Sequence, residues 1–206
     1  MKKKIIIISI SIALMAIVYL AINWKSLLLN MAGFQQPKIE NTETIKSWDG
    51  LKTKQDMLLV ASTKANFNYL QENIGVPGIM VFNKEGYLII SNRGEGCQIT
   101  ARDKLKDLGK KEFSKSNSKD IGFSNINDFL DRVSNINKAE LKNEIGYDYT
   151  VVYTWAKYLP EKSIEMMEAV NSGLKRNKAK VLLLSLNLDY IDKWTSGQVG
   201  DKIDLD

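Results

Sequence analysis

Tyr149-Thr-Val-Val-Tyr-Thr-Trp155-Ala-Lys-Tyr-Leu-Pro160-Glu-Lys162 is the stretch that decides the fold. From Tyr149 to Ala156 the residues are β-branched, aromatic or small, the composition of a strand. A short loop follows, and Pro160 opens a helix at the one place where its missing N–H costs nothing. Glu161 and Glu165 sit in the early turns and complement the helix dipole. Ile164, Met167, Val170 and Leu174 then recur at helical spacing, and Lys175 and Arg176 close the last turn. Met166-Met167 belongs to that apolar stripe and its edge, not to a metal site. Residues 180–188 form a near-continuous apolar run, as in a strand buried on both faces. Strand, helix and strand in this order predict a parallel, right-handed βαβ unit.

Towards the amino terminus, residues 56–62 give another short buried strand. Thr63 caps a helix over 64–73 in which Phe67, Leu70 and Ile74 fall three and four apart, and Gly75 ends it. Val76-Pro77-Gly78 leads to Ile79-Met-Val-Phe82, the turn Asn83-Lys-Glu-Gly86 and Tyr87-Leu-Ile-Ile90, which read as a β-hairpin. The glycine-rich segment 92–96 lacks the strand–loop–helix spacing of a phosphate cradle. Residues 101–108 predict a helix ended by Gly109, and the polar run 110–120 predicts a loop. Ser124 starts a helix carrying Ile126, Phe129, Leu130 and Val133, with a further short helix over 135–144.

Composition narrows the chemistry. The 206-residue chain is 44% hydrophobic and 26% charged, enough for one buried core. Its formal charge is +5, but Lys2, Lys3, Lys4 and Lys25 supply four of those charges. The nearly neutral remainder argues against nucleic-acid binding, and the basic run 101–119 is interrupted by Asp103, Asp107 and Glu112, as on a solvated helix face. The chain has no histidine and one cysteine, Cys97. Histidine-dependent triads, Cys/His zinc sites and an intramolecular disulfide are therefore excluded, and no cofactor is expected. Cys97 follows glycines as either an exposed thiol or a small half-buried apolar residue.

Lys2-Lys3-Lys4 precedes eighteen uncharged residues, 5–22. At ~1.5 Å per residue they reach about 27 Å, enough for a thin hydrocarbon core. The run exceeds a signal-peptide h-region and ends in a poor cleavage sequence, so it reads as an uncleaved anchor. Lysine asymmetry places the amino terminus in the cytoplasm and the body outside the membrane. Trp24 suits the interfacial belt; Leu27, Leu28, Leu29, Met31 and Phe34 either follow the headgroups or prolong the helix. Residues 38–54 are polar without a sustained period, as in a tether, and 195–206 read as a polar, frayed tail.

Two segments resemble membrane-anchored thioredoxin-like (redoxin) proteins of the cytochrome-maturation type. The first runs from Tyr149 to Asp189, about a fifth of the chain. In the family its loop reads Trp-Ala-x-x-Cys-Pro-x-Cys; here Leu159 and Lys162 hold the cysteine positions. The second, Gly75-Val-Pro77-Gly-Ile-Met-Val-Phe82-Asn-Lys-Glu-Gly86-Tyr-Leu88, is similar to the family's Val-Pro turn, which implies a cis Pro77 facing the site. The family places the Val-Pro turn after the cysteine loop, whereas here it comes first. A permuted fold, two partial α/β units and an accidental match within an ordinary α/β sheet all accommodate that order.

The expected architecture is α/β: a thioredoxin-like mixed sheet flanked by helices, preceded by one transmembrane helix. Residues 1–25 are expected to form a cytoplasmic tip and anchor, 26–54 a juxtamembrane tether, 55–194 an extracytoplasmic domain and 195–206 a tail. The resemblance implies a protein of the plasma or inner membrane, its body periplasmic or extracytoplasmic, without dithiol chemistry. It would bind a protein or peptide partner through Trp155, Tyr158, Leu159, Pro160, Val76 and Pro77, or serve as an accessory subunit of an envelope complex. The alternative is a thiol enzyme using Cys97, whose neighbours Arg93 and the 101–111 run could depress its pKa.

Overall fold

A computed structural model describes residues 24, 29, 31, 33–48, 55–94, 96–114, 122–123, 125–137, 146–175 and 177–203. The elements are β1 (Ile39–Glu40), α1 (Thr42–Lys46), β2 (Met57–Ala61), α2 (Lys64–Asn73), β3 (Gly78–Asn83), β4 (Leu88–Arg93) and α3 (Cys97–Leu105). They continue with α4 (Ile126–Leu130), β5 (Val133–Asn135), β6 (Tyr149–Trp155), α5 (Pro160–Leu174), β7 (Val181–Asn187) and β8 (Tyr190–Ile191). Six strands form one mixed sheet in the order β4-β3-β6-β7-β2-β5. The α/β class and the helix-flanked mixed sheet are as expected. No described helix is long and apolar enough to cross a membrane, and the expected anchor, 5–22, lies outside the described residues.

The period-two alternation of the strands divides the core in two. Val151, Tyr153 and Trp155 face one side, where they join Ala101 and Leu105 of α3, Met166, Met167 and Val170 of α5, and Ile45 of α1. Val152 faces the other side with Met80, Phe82, Leu184 and Leu186, against Phe67 and Leu70 of α2 and Ile126 and Phe129 of α4. The expected parallel pairing holds: β6 and β7 are parallel neighbours joined by α5. The hairpin is also present, with the amide of Gly86 donating to the Asn83 carbonyl at 2.8 Å and Gly86 in the left-handed region.

Several boundaries differ from expectation. The helix predicted over 101–108 begins at Cys97 and ends at Leu105, because Gly96 turns into it at φ 74° with no capping side chain to signal the start. Val133 lies in β5, opposite Ala61 of β2, not on the preceding helix, and Asn135 is the last residue of that strand. Residues 138–144 of the predicted further helix lie outside the described residues. Residues 37–48 are not a free tether. Asn41 caps α1 through a reciprocal capping box with Thr44, Ile45 is fully buried, and β1 pairs in parallel with β8. The tail is paired as far as residue 203: the Ile39 amide donates to the Asp201 carbonyl at 2.9 Å and the Ile203 amide to the Pro37 carbonyl at 3.0 Å.

Candidate functional site

The two singled-out segments meet in space. β3 runs antiparallel to β6 with Gly78 opposite Thr154, which brings Pro77 abreast of Trp155 at the end of β6. The Thr154 hydroxyl donates to the Gly75 carbonyl at 2.7 Å, tying the α2–β3 turn to β6 directly. The Val76–Pro77 peptide bond is cis, as the resemblance implies. Gly78 permits this approach: a Cβ there would lie 2.9 Å from the Ile74 carbonyl oxygen and 3.0 Å from Thr154 Oγ1.

The loop after β6 is fixed from beneath by Ser163. Its hydroxyl accepts from the Ala156 amide at 3.0 Å and donates to the Ala156 carbonyl at 2.8 Å, so one side chain satisfies both backbone groups inside the core. Leu159 is buried at the helix start and supplies no capping bond. Lys162 is on the surface, its ammonium 3.1 Å from Glu165. The two cysteine positions of the family pattern thus hold a core leucine and a solvated ion pair.

Behind the loop lies a charged cluster that sequence reasoning missed. Both carboxylate oxygens of Asp189 accept from the Lys157 amide, at 3.0 and 2.9 Å, and Oδ2 also accepts from Asn187 Nδ2 at 2.7 Å. The Lys157 ammonium reaches forward to Glu40 at 2.7 Å and to the Thr44 carbonyl at 3.3 Å. Burial pushes the Asp189 carboxyl up to about 6, against the lowering effect of the Asn187 and Lys157 bonds; the nearby Glu40 charge adds to the rise. Burial likewise raises the Tyr158 hydroxyl, helped by the Asp189 charge and opposed by the 3.2 Å bond from Gln71. The only sequence signal for Asp189 was its place directly after an apolar strand; nothing marked Glu40 as its neighbour.

The expected binding residues divide sharply by access. Trp155, Leu159 and Pro77 are buried, while Val76, Tyr158 and Pro160 are half-buried. Trp155 is covered by Trp48, whose ring stacks on it with centroids 4.9 Å apart and planes 7° apart. Residues 33–48 run along the loop from one end to the other. A Cβ on Gly33 would lie 3.4 Å from Glu161, the Gln35 amide donates to the Tyr158 carbonyl at 2.8 Å, Glu40 holds Lys157 and Trp48 covers Trp155. Of the expected binding residues, only Val76, Tyr158 and Pro160 consequently keep some exposed surface. A broad groove of about 910 Å³ lies instead at the other end of β6, between the Asn83–Glu85 turn and Gly109–Phe113.

Cys97 is wholly buried at the start of α3, its thiol 3.2 Å from the Asn92 carbonyl. Burial pushes the thiol up to about 12, outweighing a backbone hydrogen bond at Ile79. Arg93 donates instead to the Glu72 and Asn73 carbonyls, and a buried, protonated thiol weighs against the thiol-enzyme alternative. Among the described residues, no group of three or more metal-ligating side chains comes together. Comparison with protein-family models, with curated proteins and with solved structures found no match in any of the three.

Proposed function

We propose that this chain is a membrane-tethered, extracytoplasmic thioredoxin-like protein without dithiol chemistry, acting as a partner- or peptide-binding accessory module of an envelope process. The observation that carries this reading is the antiparallel pairing of β3 with β6, which sets Val76-Pro77 beside Trp155. Two segments separated by almost eighty residues, in an order opposite to the family's, are thereby spatial neighbours. That supports a rearranged version of the family's site over an accidental match. Leu159 in the core and Lys162 in a surface ion pair support the loss of redox chemistry, since neither side chain forms or resolves a disulfide. The triple lysine followed by the uncharged run 5–22 supports the tether and the side of the membrane.

The test is photo-crosslinking in membranes of the full chain, with the crosslinker placed at Tyr158 or, as a control, at Ile99, which is exposed on α3. Discrete adducts at position 158 that are absent at position 99 are expected. The same adducts from both positions, or none at 158, overturn the reading.

A further inference from the structure

We propose that residues 33–36 are the resting occupant of the surface around Tyr158, an intramolecular peptide that an extended partner must displace. The inference rests on the partner-binding reading above and adds what holds the surface when no partner is present. The Gln35 amide donates to the Tyr158 carbonyl at 2.8 Å, a backbone-to-backbone bond that carries no side-chain information. Any extended chain laid along the loop could make the same bond, as peptides do when main-chain groups supply affinity and side chains specificity.

The hold on this segment is light. Gln35 is exposed, and Gly33, Phe34 and Gln36 are half-buried. Besides the bond to Tyr158, the segment has the Gln36 side-chain bond to the Ile203 carbonyl at 2.6 Å and the Phe34 amide bond to the Leu29 carbonyl at 2.8 Å. Immediately downstream the chain is anchored, with Pro37 and Ile39 buried and β1 paired to β8. An occupant of weak intrinsic affinity is therefore kept beside the loop at an effective concentration on the order of mM. The competitor must be extended, with a free backbone N–H to offer the Tyr158 carbonyl.

The experiment compares the full-length wild type in detergent micelles with Gln35→Pro, which removes the donor, and Gln36→Ala, which removes the Ile203 bond. The probe is a fluorescent, reduced and carboxymethylated polypeptide that cannot fold. Hydrogen exchange over residues 30–36 reports release of the segment independently of binding. Both variants are expected to exchange faster there and to bind the probe about fivefold tighter, the factor corresponding to one lost hydrogen bond. Faster exchange with affinity unchanged or weakened overturns the inference and leaves the partner-binding reading standing. No binding to any of the three proteins, with the segment released in the variants, overturns both.

Discussion

The Thr154 hydroxyl reaches the Gly75 carbonyl at 2.7 Å across 79 residues of sequence and ties β6 to the α2–β3 turn. Thr154 is fully buried, and its removal takes away the side-chain donor to the half-buried Gly75 carbonyl. Thr154→Val keeps the shape and should cost about 1–2 kcal/mol. Thr154→Ser should recover most of that loss. Urea denaturation of the three proteins decides it; a valine variant as stable as the wild type would show that the turn holds its place without this bond.

Gly173 lies where α5 crosses α3. A Cβ there would stand 2.8 Å from Leu105 Cβ and 3.0 Å from the Arg102 carbonyl oxygen. Alanine in a helix interior ordinarily gains about 1 kcal/mol over glycine. Here overpacking against backbone should reverse the sign, with Gly173→Ala losing about 1–3 kcal/mol. A rise in melting temperature would mean that the two helices separate readily.

Both of those close approaches belong to elements legible in the sequence. The β6–α5–β7 unit and the hairpin announce themselves because their apolar periods run for whole elements and end at proline or glycine. The strap of residues 37–48 was illegible because β1 has two residues and α1 five, too few for any period to build. Its burial comes from tertiary contacts of Ile39, Ile45 and Trp48 that no local pattern encodes. Val133 stands seven residues after Ile126, a helical interval, yet the chain turns at Asp131 and Arg132 and presents it to β2 instead. At the candidate site, the Trp155 and Pro77 segments could be found by resemblance. Their cover could not, since the stacking of Trp48 on Trp155 depends on how the strap lies.

Trp48 tests that cover. Removing a ring stacked at 4.9 Å on a fully buried partner should cost about 3 kcal/mol in Trp48→Ala. The loss should appear in thermal melts, with increased solvent quenching of Trp155 fluorescence. A variant of unchanged stability and quenching would return residues 37–48 to the role of a loose tether.

Cys97 should resist labelling in the folded protein. Its thiol is pushed up to about 12 from an ordinary value of 9.0, and it has no exposed surface. An alkylating reagent at pH 8 should react only as fast as α3 opens, with the full rate restored in denaturant. Prompt, stoichiometric labelling of the native chain would revive the thiol alternative.

Asp189 sets a pH dependence opposite to that of most paired carboxylates. Burial raises it to about 6 in the folded chain against 3.8 for the unperturbed group. Between those values the folded state binds more protons than the unfolded one, so this group's contribution to stability is fully present below about pH 4 and declines as pH rises through 6. At pH 7 the buried charge persists because Lys157 and Asn187 donate to it, and the shift corresponds to a stability loss on the order of 2–3 kcal/mol relative to a carboxyl left unshifted by folding. Asp189→Asn retains an acceptor for the Lys157 amide and removes the charge. The variant should therefore be more stable than the wild type at pH 7, and the difference should narrow towards pH 4. Denaturation midpoints measured across pH 4–7 provide the check. A variant less stable at pH 7 would show that the attraction between Asp189 and Lys157 outweighs the desolvation of the carboxylate.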